Sequence, residues 1–226
     1  MEESIKLAHQ AHDFGITYLV VTPHASNDNL ATQLKQRDEK LIEFRKVLKD
    51  EAIPLTLLPG LEYLADGHAA DNALDNPACL LGNSADKANR PLLQELPFSI
   101  SISFAEKLLF RAQLKNVPFI LAHPERYTGF HDNIAMFKSL LDKGIYLQFN
   151  SDDFQSSFFS RKILKDILSL IEYAPEQILV GSDAHNPDRR PCGLYDAQEQ
   201  IVKRFGEDTW KTISLKTPAG LLGIKL

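Results

Sequence analysis

Six short apolar runs in this chain each lead to a residue type that can do chemistry. The run at 17–22 opens into "TPHAS" with His24, and the run at 55–58 into "PGLEY" with Glu62. The run at 91–95 closes on Glu95 itself, and 118–122 is followed by "AHPERY" with His123, Glu125 and Arg126. After 145–149 comes "NSDDF" with Asn150, and after 178–181 comes "SDAHNPDRRP" with Asp183, His185 and Arg190. Taken singly, a histidine past a strand is ordinarily a hydrogen-bonded loop residue, and a glutamate a solvated acid. As a set they read differently, because residues just beyond the carboxyl ends of strands in β/α folds meet at one mouth. Three imidazoles and three carboxylates gathered there would repel or lose solvation at high cost unless cations compensate. The set therefore points to a metal site. Mixed imidazole and carboxylate donors suit Mn²⁺, Fe²⁺ or Zn²⁺ better than Mg²⁺ or Ca²⁺, and bridging carboxylates suit more than one ion.

Other titratable residues have simpler readings. His9 and His12 lie three apart on a first helix and read as solvated surface, and His68 and His131 as loop residues. Glu125 reads as a salt-bridge partner of Arg126, and Asp152, Asp153 and Asp188 as exposed loop acids. A cysteine-dependent phosphatase needs an arginine six residues past its nucleophile, so that both serve one phosphate cradle. The residues at those positions, after Cys79 and Cys192, are Ala85 and Gln198, so both thiols read as inert.

The elements that must position these groups alternate along the chain. Leu30, Leu34, Leu41, Phe44 and Leu48 share one face of a helix near 29–50. "SFAE" at 103–106 has the form of a capping box that opens a second helix. Helices are also predicted over 133–143, stopped by Gly144, and over 160–173, whereas 65–90 reads as a loop with a short helix at most. Continuous apolar strands between helices mean a parallel sheet buried on both faces. No Gly-x-Gly-x-x-Gly or Walker-type loop follows a strand, so nucleotide-binding folds lose support.

The 226 residues, 44% hydrophobic and 24% charged, fit one domain spanning 1–226. A net charge of −5 argues against nucleic-acid binding. No apolar run approaches the roughly 20 residues of a membrane span. "MEESIKLAHQ" lacks the basic and apolar regions of a signal peptide, and two cysteines make no disulfide framework, so a reducing cytoplasm is expected.

With these residues in view, the chain resembles a known family. "ITYLVVTPH", "GLEY", "LLQELPF", "ILAHPERY", "LQFNS" and "GSDAHN…RP" stand in the order and spacing of the PHP-superfamily tyrosine phosphatases of capsule and exopolysaccharide synthesis (CpsB/CapC type). The likeness runs from about residue 2 to residue 222. It implies an α/β fold of the PHP type, a distorted (β/α)7 barrel related to the TIM barrel. It implies up to three divalent metals, usually manganese, and hydrolysis of phosphotyrosine on a bacterial tyrosine kinase, at its C-terminal tail, that regulates polysaccharide export. By position, His24, Glu62, Glu95, His123, Asp183 and His185 would be metal ligands, and Arg126 and Arg190 would hold the phosphate.

One departure matters. Members of the family begin with a strand carrying a His-x-His pair, and this chain starts after it, with Met1 entering a helix directly. Six strands are therefore expected where seven are implied, with the first missing. Fewer than three metals, exposed strand edges and a weakened or inactive enzyme are the expectations that follow. Chemically, metals would neutralise the phosphoryl oxygens and lower the pKa of water from about 15.7 to about 7. Arg126 and Arg190 would clamp equatorial oxygens with a fork that lysine lacks. His185 or a water would protonate the leaving phenolate. The ligating histidines must be neutral, so activity should fall below about pH 6.5. Two alternatives stay open. One is a PHP phosphoesterase acting on a small-molecule phosphate, as a histidinol-phosphate phosphatase does. The other is a non-catalytic relative that binds a kinase tail or phosphopeptide.

Overall fold

The structure is a computed structural model that describes residues 1–65, 70–83, 90–97, 103–155 and 161–226. His68 lies outside the described residues, and so does the side chain of Ser103 on which the predicted capping box rests. The helices are α1 (Glu2–Phe14), α2 (Leu30–Asp50), α3 (Ala70–Asp75), α4 (Ser103–Leu114), α5 (Ile134–Asp142), α6 (Arg161–Tyr173), α7 (Tyr195–Phe205), α8 (Glu207–Lys211) and α9 (Thr217–Leu222). The strands are β1 (Tyr18–Val21), β2 (His24–Ala25), β3 (Thr56–Pro59), β4 (Glu62–Leu64), β5 (Leu92–Glu95), β6 (Phe119–Ala122), β7 (Tyr146–Asn150) and β8 (Ile178–Gly181).

All strand pairs are parallel. β1 pairs with β3, and β2, β4, β5, β6, β7 and β8 form a second sheet in that order. β1 and β2 are two parts of one run broken at Thr22 and Pro23, and β3 and β4 are two parts of another broken at Gly60 and Leu61. The two runs stay in register across both breaks, with Tyr18 opposite Thr56 and His24 opposite Glu62. Six runs thus stand side by side in chain order, as predicted, and the second is longer than the expected 55–58. The break needs Gly60, because a Cβ there would lie 2.7 Å from Leu81 Cδ2 and 2.8 Å from Val20 Cγ1. Among the described residues β1 and β8 each have a single strand partner. A cavity of about 1280 Å³ is lined by residues of both strands.

Period-2 alternation sorts side chains between the two faces. Phe119 and Leu121 of β6 join the helices in a large outer core with Leu108, Phe137 and Leu140. Ile120 and Ala122 point the other way, into an inner cluster with Leu93, Leu179 and Leu221, against which Val20 packs. Each such side chain contributes roughly 1.5–3 kcal/mol by leaving water. Helix α1 has Glu2 and Glu3 in its first turn and stops at Gly15, whose φ of 98° is left-handed. Its Ala8 and Ala11, with Ile5 and Leu7, pack on Leu41, Leu48, Leu57, Leu19 and Val21, so this helix finds its strand layer in β1 and β3. Arg37 of α2 is buried and donates to the carbonyls of Gly60 and Ala78, at 3.3 and 2.7 Å, which ties the helix to the strand break.

Helices α7 to α9 are not assigned in the sequence analysis. Trp210 and Ile213 join the outer core, and Leu221 closes on the inner cluster. A wide π-type turn at Thr212–Lys216 carries the chain from α8 to α9, just before Pro218, which has no N–H to give. No helix among the described residues is long and apolar enough to cross a membrane.

Candidate metal centre

The alternation that fills the inner cluster also aims the polar rim. Val20 faces that cluster, so Thr22 and His24, two and four residues on, follow on the same side. Leu93 faces it too, which places Glu95 above it. Register then brings His24 opposite Glu62, and Leu64 opposite Glu95. One ligand atom from each of His24, Glu62 and Glu95 lies within 4.8 Å of the others. His24 Nδ1 is 3.7 Å from Glu62 Oε1 and 3.7 Å from Glu95 Oε2. His123 Nε2 reaches the same carboxylates, at 2.8 Å to Glu62 and 3.6 Å to Glu95.

A second group sits beside the first. Asp183 Oδ2 is ion-paired with Arg126 Nη1 at 3.1 Å, and accepts from Arg190 Nη2 more closely still and from Asn150 Nδ2 at 3.2 Å. His185 Nδ1 lies 2.8 Å from the carbonyl oxygen of Asp183. A carbonyl only accepts, so Nδ1 carries the proton and Nε2 keeps a free lone pair. The rings of His24 and His185 stand 5.8 Å apart, which joins the two groups into one mouth. His123 and Asp183 both adopt positive φ, 31° and 48°, a conformation that non-glycine residues rarely hold. The strain falls on two of the residues expected to ligate.

Electrostatics agree with a place for positive charge among the carboxylates. Burial pushes Glu95 up, and the neighbouring charge of Glu62 pushes it further. Burial also acts on Glu62, but the hydrogen bond with His123 and the charges of His123, His24 and Arg126 outweigh it and hold that carboxyl low. Two carboxylates crowded together with two imidazoles make a donor set that fits a divalent cation. Arg190 is lowered by burial and then by the like charge of Arg126, so two guanidiniums are held close at the mouth.

The structure brings together all eight expected site residues: His24, Glu62, Glu95, His123, Arg126, Asp183, His185 and Arg190. Two residues outside that set hold them. The Tyr127 hydroxyl donates to the Ala122 carbonyl at 2.8 Å and accepts from the Leu96 N–H at 3.0 Å, joining the ends of β5 and β6. Asn150 is fully buried and fixes Asp183. Its position at a strand exit was the available signal. Two expectations need correction. Glu125 does not pair with Arg126, which turns to Asp183 instead; Glu125 is buried and accepts from the Asn150 N–H at 3.3 Å. Asp153 is not an exposed loop acid but half-buried against Glu125.

Elsewhere the simple readings stand. His9 and His12 are exposed, and His131 Nδ1 pairs with Asp166 Oδ2 at 2.6 Å, away from the mouth. Both cysteines are buried, and burial raises the Cys79 thiol to about 11 and that of Cys192 in the same direction.

A parallel α/β sheet with an imidazole–carboxylate cluster that could hold a metal and two arginines at its strand exits defines a class of α/β proteins with a candidate metal centre at the strand exits. Within that class the pattern of the family described as capsular polysaccharide synthesis, CpsB/CapC, matches residues 1–223, and the chain belongs to that family. It is similar to the tyrosine-protein phosphatase YwqE of Bacillus subtilis, 29% identical over 206 residues, which are 91% of this chain and 78% of that protein. It is also similar to the tyrosine-protein phosphatase CpsB of Streptococcus pneumoniae, 25% identical over 224 residues, covering 98% and 90% of the two. A solved structure described as one of the unique metal-dependent tyrosine phosphatases YwqE and CpsB superposes with a TM-score of 0.80 at 28% identity. It covers 100% of this chain and 88% of that one.

Proposed function

We propose that this chain is a metal-dependent protein tyrosine phosphatase. The observation that carries the reading is the closeness of the two groups at the mouth, a His24–Glu62–Glu95 donor set with His123 on both carboxylates, beside two arginines on Asp183. The relatives' names, tyrosine-protein phosphatases in a family of capsular polysaccharide synthesis, support phosphotyrosine as the substrate. In this reading the phosphoprotein is a bacterial tyrosine kinase that regulates polysaccharide export, presented by its C-terminal tail.

His24, Glu62, Glu95 and His123 would hold one divalent ion, and Asp183 and His185 would contribute to a further position, His185 through its free Nε2. Mn²⁺ is the proposed metal, with Fe²⁺ and Zn²⁺ compatible with the same donors. When bound, such ions neutralise phosphoryl charge and make water a nucleophile at neutral pH. The protein's own part is to place the ester. Arg126 and Arg190 would transfer their forks from Asp183 to the equatorial oxygens and orient phosphorus for in-line attack. A phenol leaves with a pKa near 10, so it needs less proton assistance than an alkyl alcohol. His185 cannot give that proton while its Nε2 ligates, because its Nδ1–H is already engaged on the Asp183 carbonyl, so in this reading a water gives it.

The test is a comparison of substrates on Mn²⁺-loaded protein. A phosphotyrosine peptide should be hydrolysed with a kcat/KM at least tenfold above that for alkyl monophosphates, and a chelator should abolish it. Preference for the alkyl esters would identify a small-molecule phosphoesterase. Metal binding and phosphopeptide affinity without turnover would identify a binding protein.

A further inference from the structure

The loop that carries Arg190 is fastened from the opposite end of the chain. It leaves β8 after Gly181 and closes on itself. The His185 and Asn186 N–H groups donate to the Arg190 carbonyl at 3.1 and 3.4 Å, and the Arg190 N–H donates to the Asn186 carbonyl at 3.0 Å. The Asn186 side-chain oxygen accepts from the Asp188 and Arg189 N–H groups at 2.9 and 3.3 Å, so the turn between is held as well. A unit closed in this way can still tilt about its strand as a whole. Helix α1 opposes that tilt. Gln10 Nε2 donates to the Pro187 carbonyl at 2.9 Å, and Gln10 Oε1 accepts from the Cys192 N–H at 3.0 Å. Two helical turns earlier, on the same face, Glu3 Oε1 accepts from Asn186 Nδ2 at 3.3 Å. Beside these bonds, Cys192 joins Ala8 and Ala11 in one apolar cluster, and Ala184 packs against it. Gln10 therefore grips the loop on both sides of Arg190. Its amide serves as donor and acceptor at once, and in one orientation only, since a carbonyl accepts and a backbone N–H donates.

We propose that Gln10 is a positioning residue that sets where Arg190 stands for the phosphoryl group. It acts through the loop backbone at Pro187 and Cys192, and Arg190 is aimed from between those two points. A side chain that lacks either the donor or the acceptor leaves one side of the loop unfastened. The inference rests on the reading of Arg190 as a phosphate ligand, and the experiment separates the two.

The experiment compares Q10M, R190A and the double variant Q10M/R190A with the parent, all loaded with Mn²⁺. Methionine matches the length of glutamine and makes neither hydrogen bond. Three properties are read: kcat and KM on a phosphotyrosine peptide, Kd for inorganic phosphate, and hydrogen exchange at the Cys192 amide. Q10M should raise KM and the phosphate Kd about tenfold, change kcat by less than about threefold, and speed exchange at Cys192. On the R190A background the same substitution should raise KM and Kd by less than about twofold, because the arm that Gln10 aims is gone. An equal loss on both backgrounds overturns the proposal, since Gln10 would then support the fold and not the arginine. Parent-like KM and Kd in Q10M overturn it too. If Q10M does not fold, Q10E, which keeps the acceptor for Cys192 and lacks the donor to Pro187, decides by the same cycle. A parent that binds phosphate without hydrolysing phosphotyrosine overturns the function proposed above, and the cycle on the phosphate Kd still decides the role of Gln10. A parent that neither hydrolyses phosphotyrosine nor binds phosphate overturns both.

Discussion

Asp183 carries two arginines on one carboxylate oxygen, and this says what a substitution there should do. Arg126 and Arg190 have side chains 32% and 29% exposed, so neither is a core support. Replacing either with lysine should lower kcat/KM for phosphotyrosine tenfold or more, because an ammonium cannot span two oxygens. Stability should change by no more than about 1 kcal/mol. A variant that unfolds while keeping its activity per folded molecule would show a structural ion pair instead. Glu125 leads to a pH prediction. Burial, and then the nearby Asp153, raise it well above its ordinary range. The folded state therefore keeps a proton that the unfolded chain releases above about pH 4.3. Stability from this group is full below that pH and is lost as pH rises toward the folded value. Burial raises Asp153 in the same sense. Denaturant titrations at pH 5 and pH 8 should show a smaller loss in E125Q than in the parent, and equal losses would refute the assignment. That His24, Glu62, Glu95 and His123 meet at one mouth was legible in the sequence because alternation and strand exits follow from spacing. The burial of Glu125 and Asp153 was not, because both letters denote charge and only the folded packing takes them out of water.

At the scale of elements, the ends of β5 and β6 are held by one phenol. Tyr127→Phe removes a donor to Ala122 and an acceptor for Leu96, and it leaves two buried backbone groups without that partner. The expected cost is about 1–3 kcal/mol, read as a lower denaturation midpoint with an unchanged slope. Leu96 follows Glu95, so metal affinity should weaken with it. An unchanged midpoint would mean that water replaces the hydroxyl. The six strand runs and helices α2, α4, α5 and α6 were predictable because long apolar stretches keep a single period. The interruption at Gly60 was not, since it answers to Leu81 and Val20 from other parts of the chain. Helices α7 to α9 were harder to see because Gly206 and Pro218 cut their pattern into pieces of eleven, five and six residues.

For the molecule as a whole, the donor set couples metal to stability. An ion bound by residues from four strand runs stabilises only the folded chain. At a hundredfold excess over Kd this amounts to about 2.7 kcal/mol, a rise of about 5–10 °C in melting temperature. Scanning calorimetry with Mn²⁺ should show that rise in the parent, and His123→Ala should show much less. Equal rises in both would remove His123 from the ligand set. The same arrangement has a consequence in time. The first donor is His24, and the last are Asp183 and His185, beyond the final strand of the sheet. A ribosome delivers residues in order, at roughly 5–20 per second, so His24 waits on the order of ten seconds for its companions. Until β6 docks and brings His123, that imidazole has no more hold on an ion than any loop histidine, and the position at Asp183 and His185 waits for β8. Ion capture would thus follow the order of the chain, first at His24, Glu62, Glu95 and His123 and then at Asp183 and His185. The direction of synthesis would then set the order in which the mouth is charged with ions.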